Sequence, residues 1–157
     1  MSAETFTTAM FLITAIIAAG VLVNAVFPIV YTMAGTFSSA SHESDQRLRT
    51  DFKIIATYAS GTNGQIWLKN VGSTRIPASE VVRSDVFFGA VGDFDHLMYD
   101  AGWTAELSDI NANNYWDSGE TLKVSVVATK PVSSGNVVYF QFVLPNGVWR
   151  SIEFTAS

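Results

Sequence analysis

One loop carries the residue types best suited to chemistry. Side-chain oxygens recur through it as Asp109, Asn111, Asn113, Asp117 and Glu120. With Asp109 as position one, they stand at the spacing of a twelve-residue calcium loop. In that reading Glu120 is the bidentate ligand and Tyr115 gives its backbone carbonyl. Position six needs a left-handed backbone, normally supplied by Gly. Asn114 stands there, and Asn tolerates that conformation better than most residues. No helical pattern flanks the loop, however, and Asx-rich turns between strands are common. The same residues therefore also read as a polar turn that opens a strand at Thr121.

Elsewhere the chemistry is sparse. Asp93-Phe-Asp95-His96 brings two carboxylates and an imidazole together but lacks a third converging group, so a solvated loop is the expectation. The chain has no cysteine, which removes disulfides and thiolate metal sites. No phosphate-binding glycine loop, nucleophile elbow, HExxH or Asn-x-Ser/Thr sequon occurs, and an enzyme is not expected. His42 stands alone on a charged stretch and is expected to be neither ligand nor sensor. Trp103 and Trp116 are candidates for an exposed interface patch. The net charge of −5 argues against nucleic acid, where basic patches supply most of the affinity.

The elements that position these residues fall into two kinds. Between Glu4 and Glu43 there is no Asp, Glu, Lys or Arg. The apolar run over 9–30 is long enough to cross a bilayer and too long, without a basic n-region, for a secretory signal. A retained membrane-spanning helix over 1–34 is expected. Ala15 and Ala19 form a small-xxx-small pair, and Gly20 and Asn24 extend the set of candidate helix–helix packing positions. Asn24 either reaches water near one interface or bonds across to another helix. Pro28 removes a backbone donor near the exit. Residues 35–51 form a polar helical extension in which Glu43, Asp45, Arg47, Arg49 and Asp51 alternate in charge. The positive-inside rule would draw these Arg residues to the cytoplasm, but the interspersed acids leave sidedness open.

From Phe52 the period becomes two, which defines a β domain over 52–157. Phe52, Ile54, Ala56 and Tyr58 share one face. The Gly61-Thr-Asn-Gly64 stretch is expected to turn the chain into a return strand over 66–71. Further strands are expected over 82–89 and over 97–107 with a break at Gly102. Leu122, Val124, Val126 and Ala128 mark a half-buried strand ended by Pro131. Val138, Phe140, Phe142 and Leu144 form a buried face that the turn at Pro145-Asn146-Gly147 connects to Val148, Arg150, Ile152 and Phe154. The fold class is thus an N-terminal transmembrane α-helix plus an all-β, immunoglobulin-like antiparallel β-sandwich.

The uncharged stretch 11–31, running into the polar exit 38–49, resembles the accessory, stator-type proteins of the archaeal flagellum (archaellum), the FlaG type. Ile66-Trp-Leu-Lys-Asn-Val-Gly72 and Trp116-Asp-Ser-Gly-Glu-Thr-Leu-Lys-Val124 are similar to the β-sandwich shared by FlaF, FlaG and archaellins. No basic leader precedes the apolar run, which departs from the archaellin pattern. The resemblance implies a single-pass protein of the cytoplasmic membrane with its sandwich outside, between membrane and S-layer. It also implies a static motor part that self-associates, pairs with a FlaF-type partner and through it contacts the S-layer. A filament subunit of archaellin or pilin type, or a membrane-tethered calcium-binding module, are the alternatives.

Overall fold

The structure is a computed structural model and describes residues 2–157. Helix α1 runs without interruption over Ser2–Arg49 and buries none of its side chains. It is the one helix, among the described residues, long and apolar enough to cross a membrane. Its hydroxyls bond back to their own helix: Thr7 donates to the Ala3 carbonyl, Thr14 to Met10 and Thr32 to Pro28, each at 2.8 Å. Such bonds let a polar side chain sit in hydrocarbon without an unmet donor. The chain divides into two compact units, one ending at Glu43 and the other spanning Ser44–Ser157. The last turns of α1 therefore belong to the second unit.

The second unit is an antiparallel β-sandwich. Its strands are β1 (Phe52–Asn70), β2 (Ile76–Pro77), β3 (Asp85–Ala90), β4 (Asp93–Leu97), β5 (Trp103–Leu107), β6 (Tyr115–Trp116), β7 (Thr121–Val132), β8 (Val137–Val143) and β9 (Trp149–Thr155), with a short helix α2 (Ala78–Val81). One sheet is ordered β1-β7-β5, the other β4-β3-β8-β9, and β2 pairs with β6 apart from both. Alternation decides what is buried. Leu122, Val124 and Val126 of β7 and Val138, Phe140 and Phe142 of β8 are each at most 1 % exposed. Phe142 ties the two sheets together, meeting Phe52 of β1 edge-on at 5.6 Å and Trp103 of β5 at 5.9 Å between ring centroids. Truncating such a ring to Ala costs about 3–5 kcal/mol.

The expected strand pattern is corrected at four places. Gly61 to Gly64 does not turn the chain: β1 is a single strand of 19 residues that runs through them. Its register on β7 shifts between Gly61 and Asn63. Gly64 is there for closeness, since a Cβ on it would lie 2.6 Å from Val126 Cγ2 and 2.7 Å from Phe88 Cζ. Along β1 the burial slips by one residue, so Ala56 and Tyr58 face out and Ala59 is buried. Such a slip exchanges the two faces of a strand. Asp93 to His96 is not a loop but most of edge strand β4, paired with β3. Pro131 does not end β7, which continues to Val132. The turn at 145–147 falls where expected, with Gly147 at φ 81°, and a further turn with Gly135 at φ 86° joins β7 to β8.

Candidate functional site

The loop 109–120 folds through its own polar side chains. Asp109 accepts the N–H groups of Asn111 (3.2 Å) and Asn114 (2.8 Å). Asn111 accepts from Asn113, and Asn113 from Tyr115. Their amide groups both donate to Asp117 Oδ2, at 2.9 and 2.8 Å. These two bonds, followed by the Arg75 guanidinium, hold the Asp117 carboxyl below its ordinary pKa. Arg75 also lies over the Tyr115 ring at 5.5 Å. Asn114 has φ 61°, the left-handed backbone that position six requires. Glu120 turns inward and is 6 % exposed. Its two oxygens accept the N–H groups of Ile110 (3.0 Å) and Asp117 (2.9 Å). Among the described residues, no three His, Cys, Asp or Glu side chains converge as a metal group would require.

The loop's buried side leads to the end of the helix. Trp116, with no exposed surface, donates its indole N–H to the Glu120 carbonyl at 2.9 Å. Its own carbonyl accepts from Asn70 Nδ2 at 2.8 Å. Asn70 is fully buried. Its amide also donates to the Thr74 carbonyl, and its Oδ1 accepts the Gly72 N–H. That shapes segment 70–74 into a cap for the helix terminus. Ser73 and Thr74 donate their N–H groups to the Arg49 carbonyl, at 3.0 and 3.2 Å, and Val71 and Gly72 donate to Asp51. Terminal helix carbonyls otherwise lack partners. Gly72 is obligatory, because a Cβ there would stand 2.4 Å from the Arg49 oxygen and 2.5 Å from the Asp51 nitrogen. On another side, Asn146 donates to Thr50 Oγ1 at 3.1 Å and Arg150 pairs with Asp51. The site these contacts define is a clamp on the final helical turn. Asn70 and Gly72 were not singled out from sequence; an Asn-x-Gly closing an alternating strand was the available sign.

The other expected residues fall elsewhere. Trp103 and Trp116 are not an exposed patch: at 2 % and 0 % exposure both are core. Trp103 pairs in register with inward Val126, so its parity on β5 sends it inside. Asp93 and Asp95 reach across the sandwich edge to Lys130 and Thr129 of β7, while His96 meets Asp85 at 2.9 Å. They diverge and form no catalytic group. The Asp93 carboxylate raises the Lys130 pKa above its usual value. Ala15, Ala19, Gly20 and Asn24 all lie exposed on α1. Among the described residues the Asn24 side chain makes no hydrogen bond, and Pro28 has no N–H for the Asn24 carbonyl four residues earlier.

The chain thus combines a long apolar helix with an antiparallel β-sandwich whose unit includes and caps the helix's last turn. The archaeal-type flagellin family model matches residues 3–154, and the chain belongs to the archaeal-type flagellin family. An uncharacterized protein of Archaeoglobus fulgidus is 32% identical over 161 residues, covering 99% of each chain. Among solved structures, the archaellum periplasmic stator protein FlaG of Sulfolobus acidocaldarius is 27% identical with a TM-score of 0.56, over 67% of this chain and 99% of that one. A FlaF–FlaG stator complex from the same organism matches at 28% identity and TM-score 0.56, over 66% and 87%. The archaeal flagellum of Methanospirillum hungatei shares the fold at 12% identity and TM-score 0.67, over 97% and 93%. The fold and family are those of archaellum components.

Proposed function

We propose that this protein is a membrane-anchored stator of the archaellum, structural rather than enzymatic. The observation that carries the reading is the stator-protein match, which spans 99% of that chain. The clamp supports it: a part that bears torque between membrane and envelope needs a stiff join, and the last helical turn is bonded from two sides. In this reading α1 spans the cytoplasmic membrane and the sandwich lies outside it. Copies associate, a FlaF-type protein is the partner, and that partner makes the S-layer contact. Ala15, Ala19, Gly20 and Asn24 form the helix–helix contact within the bilayer. Shearing filaments from cells of the host and fractionating the remainder tests this. The chain is expected to stay in the membrane fraction and to capture a FlaF-type protein from detergent extract. Recovery chiefly in the sheared filaments overturns it.

A filament subunit is the second reading, favoured by the flagellin-type family match over 3–154. The same fractionation selects it. The loop 109–120 carries a local reading as well, a calcium ion held by Asp109, Asn111, Asn113, Asp117, Glu120 and the Tyr115 carbonyl. The left-handed Asn114 favours it; the N–H groups already bonded to these oxygens compete with it. A calcium-dependent rise in melting temperature that Asp109→Asn abolishes supports the ion. No shift at several millimolar calcium, about the weakest range of such loops, leaves a hydrogen-bonded turn.

A further inference from the structure

Strand β2 pairs on one side alone, since β2 and β6 make a sheet of two. Ala78 donates its N–H to the Asn114 carbonyl at 3.0 Å, which continues the register Ile76↔Trp116 and Pro77↔Tyr115. In an antiparallel pair, bonded and non-bonded positions alternate. Ile76 therefore turns its backbone groups to β6, and Arg75 and Pro77 turn theirs away. Pro77 has no N–H to offer on that open edge. Arg75 has both an N–H and a carbonyl, and among the described residues neither has a hydrogen-bond partner. One donor and one acceptor on the open side of a strand are what an added strand takes up.

The same edge lines a cleft of about 360 Å³ that lies wholly within the second unit. Its other walls are Gln46 and Thr50 at the end of α1 and the turn 144–146. Pro77, Leu144 and Pro145 make it partly apolar. Arg75 supplies the charge. Its guanidinium lies over the Tyr115 ring and reaches Asp117 through Nε, at 3.7 Å. Asp117 is already taken up by the amides of Asn111 and Asn113. Among the described residues, neither terminal nitrogen of Arg75 is hydrogen-bonded. A stacked guanidinium with both terminal nitrogens open is pre-set for a carboxylate. Glu80 lines the cleft as well, so a run of acids is repelled and a single one is accepted. We infer that this cleft takes an extended peptide segment of a partner protein, with one acidic residue beside an apolar one. The segment adds to β2 at Arg75, sets its carboxylate on the guanidinium and lays its apolar side chain against Pro77, Leu144 and Pro145. The volume is at the low end for ligand sites, and Pro77 stops the added pairing from extending, so binding is weak. The inference goes beyond the stator reading and holds equally for a filament subunit.

A phage-displayed library of random heptapeptides, selected on full-length protein in nanodiscs against empty nanodiscs, tests this. Enriched peptides are expected to share one Asp or Glu next to an apolar residue. The tightest is synthesised in three forms: as selected, with its acid changed to the amide, and with its backbone N-methylated. Binding is read by fluorescence anisotropy. Loss of the acid should weaken binding to the wild-type chain about tenfold and leave binding to the Arg75→Gln chain unchanged. N-methylation should abolish binding, because it removes the donors that strand addition needs. Enrichment of acid-free peptides, an equal tenfold loss on Arg75→Gln, or full binding by the N-methylated form overturns the inference. No enrichment over empty nanodiscs does the same. None of these outcomes bears on the fractionation that separates stator from filament subunit.

Discussion

At the scale of single residues, the loop 109–120 owes its shape to side chains taking up backbone donors. Glu120 is the centre of this arrangement, because it is buried and meets two N–H groups at opposite ends of the loop. Glu120→Gln turns one acceptor into a donor facing a donor. The loss should be about 1–3 kcal/mol, the usual cost of an unsatisfied buried group, read as a lower denaturation midpoint with an unchanged slope. Asp117 makes a separate prediction. Its folded pKa is depressed, first by Asn111 and Asn113, so its contribution to stability is present above the unfolded carboxylate value of about 3.9 and is lost as pH falls through the folded value. Asp117→Asn should flatten the acid limb of a stability–pH curve. An unchanged limb shows that the carboxylate is solvated rather than held. The oxygen spacing was legible in the sequence. That the oxygens serve the loop's own N–H groups was not, because Asx turns and ligand sets draw on the same residues.

At the scale of elements, the contact that stands out is the clamp that segment 70–74 makes on the last turn of α1. Its keystone is Gly72, wedged against the Arg49 oxygen and the Asp51 nitrogen. Both neighbours are backbone, so neither can rotate away. Gly72→Ala should cost at least the 1–3 kcal/mol typical of overpacking and speed hydrogen exchange at 71–74, where the capping N–H groups sit. Unaltered exchange there contradicts the clamp. Strands such as β7 were readable because one face is buried and one is wet, giving clean alternation over 122–128. The Gly61–Gly64 region is ambiguous in sequence because glycine marks both turns and close packing, and only the approach of Phe88 and Val126 tells which. Edge strand β4 was hidden by its own charges. Asp93 and Asp95 look like a loop, yet they point across the sandwich to Lys130 and Thr129. Trp103 and Trp116 show the same limit, since aromatic content does not say which side of a strand a ring takes.

At the scale of the whole molecule, the core is complete without the apolar part of α1. Among the described residues, every buried apolar one lies between Phe52 and Ala156, and α1 buries none of its side chains. The compact unit begins at Ser44. A fragment of residues 44–157 should therefore fold alone, remain in solution and keep the last helical turn in its clamp. Two neighbours on β7 test whether the core has been placed correctly. Val126 is 1 % exposed and packs between the sheets, whereas Val127 is 56 % exposed. Val126→Asp buries a charge with no partner, a cost far beyond marginal domain stability, and should leave the fragment unfolded. Val127→Asp should change stability by no more than about 0.5 kcal/mol, as at other surface positions. Amide chemical-shift dispersion separates the outcomes: collapsed for the first variant and native for the second. A well-dispersed Val126→Asp spectrum would mean that the sheets do not close over β7, and that the self-contained sandwich on which the clamp depends is wrongly assigned.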